Sequence, residues 1–166
     1  SAMRLNVMET KRTAATEALA ISLNRVFFYG FNDGEGRTYG LLNDPNAPTY
    51  TTVATGAGTG SPTEWESKTA VEIVNDIITA ANDLRVKSGY NYDPFRDAAT
   101  LAIAGDAVDW LAKTSEQYLG LSVRDWIAKT YPKMRIVPVP ELSDADGGEN
   151  VFYLFADRIG NQKVIG

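Results

Sequence analysis

The chain has 166 residues, 44% apolar and 22% charged, which are the proportions of an ordinary folded domain and set disorder aside. Its net charge is −5 and its isoelectric point about 4.8, which argues against a broad phosphate-binding surface and leaves a local basic patch open. Cysteine and histidine are both absent, which removes disulfides, thiolate and imidazole metal sites, thiol nucleophiles and Ser-His-Asp chemistry together.

Ser1-Ala2-Met3 reads as an expression scar ahead of an internal start. Residues 5 to 29 contain no Gly or Pro, and Leu5, Met8, Ala15, Leu19 and Val26 recur at helical spacings, flanked by Ala14, Ala18 and Ile21. The pattern predicts one long helix packed along a stripe, running into Phe27-Phe28-Tyr29 and stopped by Gly30. From Gly30 to Pro62 the chain is crowded with Gly34, Gly36, Gly40, Pro45, Pro48, Gly56, Gly58 and Gly60. A long connection is expected there, with short extended pieces at 39–42 and 48–54. No apolar stretch is long enough to span a membrane.

Thr69-x-x-Glu72 is a capping box, and behind it Val71, Val74, Ile78 and Ala81 form one row and Ile73, Ile77 and Leu84 the next, up to Gly89. The run Ala99 to Ala104 predicts a short buried strand, and Ala107 to Leu119 a helix with Val108, Leu111 and Tyr118 on one side. Ser122 opens a short helix bearing Val123, Trp126 and Ile127, closed before Pro132. Met134 to Val139 and Val151 to Ala156 read as strands that pair as a hairpin across the polar turn from Asp144 to Asn150. Helices and strands are mixed, so the fold class expected is α+β, and no internal repeat is present.

None of the sequence motifs completes a reactive site. Gly34-x-Gly36-x-x-x-Gly40 has the wrong spacing for a dinucleotide fingerprint and follows a helix instead of a strand. The run Gly56 to Ser61 precedes a helix as a phosphate loop would, but it lacks the loop lysine. Asp144-x-Asp146-Gly147-Gly148-Glu149 resembles a calcium loop whose twelfth position, Phe155, cannot ligate. Glu72 with Asp76, and Asp106 with Asp109, stand close enough on helices for paired-carboxylate chemistry, though such pairs are commonly wet helix faces. Trp65, Trp110 and Trp126 could form a sugar platform, or simply sit in the core. No catalytic residue, metal or cofactor is therefore expected, and no small-molecule substrate.

A more specific string is Gly40-Leu41-Leu42-Asn43, which resembles the Gly-Leu-Leu-Asn segment of phage major capsid proteins. The order around it is similar as well. A long helix ends at Tyr29-Gly30 and a spacer leads into the string, with Pro45 nearby. A Gly/Thr stretch follows, then Trp65, a Thr-capped helix from Thr69 to Ser88, the apolar strand, a helix from Leu121 to Thr130, and the strand Arg135 to Val139. From Thr10 to Ile159 this order resembles the Hong Kong ninety-seven type of capsid fold of tailed bacteriophages and encapsulin nanocompartments, and more closely an uncharacterised prophage family of capsid proteins.

The resemblance implies a self-assembling shell subunit. Residues 4–59 would be the spine helix and Gly-rich connection of a peripheral domain, and 60–166 an axial domain with its C-terminal part truncated. The chain would then be a fragment of a longer subunit, because no arm or extended loop precedes the helix. Its partners would be other copies of itself in the full-length shell. Packaged DNA would be met only indirectly, no membrane is involved, and the location would be the virion capsid, assembled in the host bacterial cytoplasm. The alternatives are an encapsulin-like compartment subunit, and a small-ligand binding module or carboxylate-dependent hydrolase.

Overall fold

The computed structural model describes the backbone of residues 2–47, 49–60, 62–159 and 162–163, and side-chain surroundings for 11–47, 49–60 and 62–158. The chain divides into two compact units, residues 1–50 and 51–166. The second unit begins ahead of the Gly-rich segment 56–60. The reason is local: the Gly56 N–H donates to the Pro62 carbonyl at 2.7 Å and the Ala57 N–H to Glu72 Oε1 at 2.7 Å, so the segment is tied to the helix that follows.

The first unit is a long helix, α1 (Ala2–Tyr29), and a two-stranded ladder, β1 (Phe31–Asn32) with β2 (Arg37–Thr38). The ladder was not anticipated. The extended piece expected at 39–42 is a turn instead, and residues 49–54 form no strand, while Pro48 lies outside the described residues. The helix is present over the expected span, but its packed stripe is not. Every side chain from Lys11 to Phe27 is exposed, including Leu19 and Ile21. A helix buries a stripe only against a second layer, and a two-residue ladder is too small to be one. Leu5 and Met8 belong to side chains outside the described residues.

In the second unit the central element is β3 (Ala99–Ala104), buried at every position except half-buried Thr100. A strand apolar on both faces needs cover above and below, and its backbone needs a neighbour on each edge. On one edge lies β4 (Met134–Val139), parallel, in register from Ala99 opposite Met134 to Ala104 opposite Val139. On the other lies β5 (Phe152–Ala156), antiparallel, from Ala99 opposite Ala156 to Ile103 opposite Phe152. The order β4-β3-β5 overturns the expected β4–β5 hairpin. Pro138 within β4 has no N–H for a second ladder, which suits an edge strand. The chain leaves β4 through a 3₁₀ turn at Pro140–Leu142 and crosses to the far edge. A short ladder of β6 (Arg158–Ile159) with β7 (Gln162–Lys163) follows.

Two helices complete the unit, α2 packed on β5 and α3 packed on α2 and on the 3₁₀ turn at Val108–Ala112. The capping box forms as expected at the start of α2 (Ala70–Lys87), which buries Ile73, Val74, Ile77 and Ala81. Ser122 caps α3 (Val123–Thr130) by accepting from the Asp125 N–H, and Val123 and Ile127 turn inward. The helix expected over 107–119 is two separate 3₁₀ turns, Val108–Ala112 and Glu116–Tyr118. The Ser115 hydroxyl accepts from the Gln117 N–H, and such side-chain bonds compete with a continuous helix. The break at Lys113 also sends its ammonium to the carbonyls of Trp65 (2.9 Å), Glu66 (2.6 Å) and Lys68 (2.6 Å).

Those carbonyls belong to the segment that lies across α2. Lys68 and Asp76 are both buried and pair at 2.6 Å, and the Trp65 indole N–H donates to the same Asp76 oxygen at 2.9 Å. Burial pushes the Asp76 carboxyl up from its ordinary range, while Lys68 and Trp65 hold it down. Removing one partner leaves a bare charge in the core. Asp76→Ala should cost about 3–5 kcal/mol in urea unfolding, whereas the double change Lys68→Met with Asp76→Leu should recover most of it. Equal losses for the single and the double variant would show that the pair does not anchor the segment.

Candidate functional site

The residues singled out by sequence, Gly40 to Asn43, meet at the C-terminal end of α1. The last four carbonyls of a helix have no partner within it. Here all four are closed in turn. Gly30 N–H donates to Val26 O at 2.7 Å, Leu41 N–H to Phe27 O at 3.0 Å, and Leu42 N–H to Phe28 O at 2.9 Å. The Asn43 amide donates to Tyr29 O at 2.6 Å, and its own oxygen accepts from the Gly40 N–H at 2.7 Å. The β1–β2 ladder is the loop that turns the chain back to make this clasp.

Two glycines are required by geometry. Gly40 is the only buried residue among the described residues of the first unit, and a Cβ there would stand 2.4 Å from the Phe28 carbonyl carbon and the Tyr29 nitrogen. Gly30 has φ +70°, and a Cβ on it would strike the Thr38 carbonyl. The clasp is thus a backbone device in which Gly40 gives clearance, Leu41 and Leu42 give amides, and Asn43 gives the side chain. The leucine side chains are only half-buried.

The residues weighed for chemistry are occupied structurally. Glu72 closes the α2 capping box with Thr69 and accepts from Ala57, and these bonds hold its carboxyl below the usual range, the Thr69 N–H contributing most. The amide that a phosphate would use in the 56–60 loop therefore already faces a carboxylate. Asp76 belongs to the buried pair. Asp106 accepts from the Ser143 hydroxyl at 2.8 Å, which lowers its carboxyl, and Asp109 is exposed. Asp146 and Glu149 close the turn tip through their backbones, and the described residues hold no acidic group arranged for a metal ion. Burial, and then the nearby Glu149 carboxyl, raise Glu64, which accepts from Asn150.

Gly34 and Gly36 serve the ladder turn, where Asp33 accepts from Glu35 and Gly36, while Gly40 belongs to the clasp. The tryptophans occupy three different settings: Trp65 is buried against Phe152, Trp110 lies under the Lys113 ammonium, and Trp126 contacts Tyr118 and Tyr131. Sequence reasoning did not find Lys68 or Lys113. A signal for the first was present, since Asp76 stands beside Ile73 and Ile77 on the apolar side of α2, where a carboxylate needs a buried cation.

Two comparisons with known proteins bear on this arrangement. A family model described as Pa193 gp26 major capsid protein matches residues 1–166. A solved structure, the capsid of Myoviridae phage XM1, superposes with a TM-score of 0.57 at 18% identity, covering 86% of this chain and 46% of that one. The chain therefore spans about half the length of that capsid chain. No curated protein matches.

The Leu41 and Leu42 amides should exchange slowly in the wild type, and Gly40→Ala should open the clasp so that they exchange about as fast as a free loop. Asn43→Ala should do less, costing about 1 kcal/mol of local stability. Unchanged protection at both amides in Gly40→Ala would contradict the geometry. A second expectation concerns Glu72. Its folded pKa is lowered, so its contribution to α2 is present above the ordinary glutamate range and is lost as pH falls through the folded value. A carbon-detected titration should place its midpoint below that of a model glutamate, and Thr69→Ala should return it upward.

Proposed function

This chain belongs to the Pa193 gp26 major capsid protein family, and from that membership we propose that it is a shell-building segment of a longer subunit that assembles with copies of itself. The observation that carries the reading is the family match over the whole chain, joined by a fold similar to a phage capsid chain. A subunit that tiles a closed surface needs stiff elements and complementary edges, and no reactive pocket. The residues support that division of labour. The carboxylates with defined partners cap a helix, join loops or neutralise a buried lysine.

On this reading α1 is the spine helix, residues 4–59 belong to a peripheral domain, and 60–166 form the axial domain. Gly40, Leu41, Leu42 and Asn43 are the family signature because they close the spine helix onto its hairpin. Other copies are the partners, and the net charge of −5 disfavours direct adhesion to packaged DNA. Among the described residues no helix is long and apolar enough to cross a membrane. The protein has no catalytic activity and uses no cofactor, and it works in the virion capsid after assembly in the host bacterial cytoplasm.

Electron microscopy of the full-length gene product should show closed particles containing DNA when packaging proteins are present. The 166-residue chain should elute as a monomer or small oligomer in size-exclusion chromatography with light scattering. Screens against glycoside, phosphate-ester and peptide substrates should stay at background. A full-length product that remains monomeric, or turnover abolished by Asp106→Asn, would overturn the reading.

A further inference from the structure

The polar turn that precedes β5 is seated on carboxylates. Its last residue, Asn150, donates its backbone N–H to Glu64 Oε1 and its side-chain amide to Glu64 Oε2, both at 3.3 Å. The same amide lies 3.4 Å from Asp106 Oδ2, and the Ser143 hydroxyl donates to Asp106 Oδ1 at 2.8 Å. Asn150 also closes the turn on itself, because its side-chain oxygen accepts from the Asp144 N–H at 3.1 Å. Asp144 has φ +53°, a left-handed backbone that this bond helps to hold. One asparagine thus ties the turn to a glutamate 86 residues away in sequence.

The two sides of this contact are unequal. Glu64 precedes Trp65, whose ring is buried against Phe152 and whose carbonyl is held by Lys113, so that side is fixed. The turn is exposed from Asp146 to Glu149, and its tip is closed by the backbones of Asp146 and Glu149. No Lys or Arg occurs between Ile136 and Asp157. The Glu149 carboxyl stands within hydrogen-bond reach of the Glu64 carboxyl, and Asp106 meets the pair through Asn150. Lys68 is paired with Asp76 and Lys113 with backbone carbonyls, so the two ammonium groups that hold the fixed segment are engaged elsewhere. Two carboxyls this close share one proton readily and repel each other when both are ionised.

We propose that Glu64 and Glu149 form a proton-dependent latch, which holds the turn 144–150 against residue 64 in mild acid and loosens it as pH rises. Burial first, and then Glu149, raise the Glu64 carboxyl above its ordinary value. The closed turn therefore binds the proton more tightly than the open one. The stability linked to that proton is fully present below the ordinary glutamate range and is lost as pH rises through the folded value. The latch is a property of the second unit and stands independently of the shell reading.

Amide exchange of the 166-residue chain from about pH 4 to about pH 7 tests it, with each rate corrected for the intrinsic rate at that pH. The protection of the Asp144 and Asn150 amides, taken relative to that of the Leu101 amide in β3, should fall severalfold as pH rises. Glu149→Gln places an amide donor beside Glu64 in place of the second carboxyl, and should keep both turn amides protected across the whole range. Glu64→Gln should flatten the profile in the same way. Wild-type protection that is level or rises with pH would overturn the inference, and so would a Glu149→Gln chain that keeps the wild-type slope.

Discussion

Strand β3 sets the conditions that the rest of the second unit meets. Its six residues offer one hydroxyl and otherwise only small or apolar side chains, so both faces must be covered and both edges paired. Parallel pairing with β4 requires a crossover, and residues 105–133 supply it as two 3₁₀ turns and α3. Antiparallel pairing with β5 fills the other edge, and α2 lies against it. The one polar side chain, Thr100, is joined to Asp157 and Arg135, each at 2.9 Å, so it leaves no unmet bond.

Charge inside this unit serves to position chain, not to react. Lys68 cannot be buried without Asp76, and their pair draws residues 65–68 across the start of α2. Lys113 then fixes the same segment from the other side through three carbonyls. A long irregular connection is thereby held by two ammonium groups, which is economical in a chain with no cysteine or histidine.

The first unit solves a different problem. Its helix buries no stripe among the described side chains, so its order comes from the backbone ladder and from the closed C-terminal end. The clasp by Gly40 to Asn43 removes the four carbonyls at which such a helix would otherwise fray.

How much of this was legible varied with the range of the interactions. The Thr69 capping box, the Ser122 cap, and strands β3 and β4 are written in short windows, because capping and burial periodicity act over a few residues. Gly40 to Asn43 could be singled out by resemblance, and their clasping role could not, since it depends on amides fourteen residues from the carbonyls they meet. The β4–β5 hairpin was the natural local expectation, and it failed because an apolar β3 needs both edges, a demand visible only when all three strands compete for places. The helix over 107–119 failed because Lys113 leaves helical geometry to reach carbonyls more than forty residues away. The sequence by itself determined the mixed class, the helix ends and the absence of thiol and imidazole chemistry, all properties of single residues or near neighbours. Strand order and the buried Lys68–Asp76 pair were decided by tertiary structure, since each depends on groups that only folding brings within a hydrogen bond.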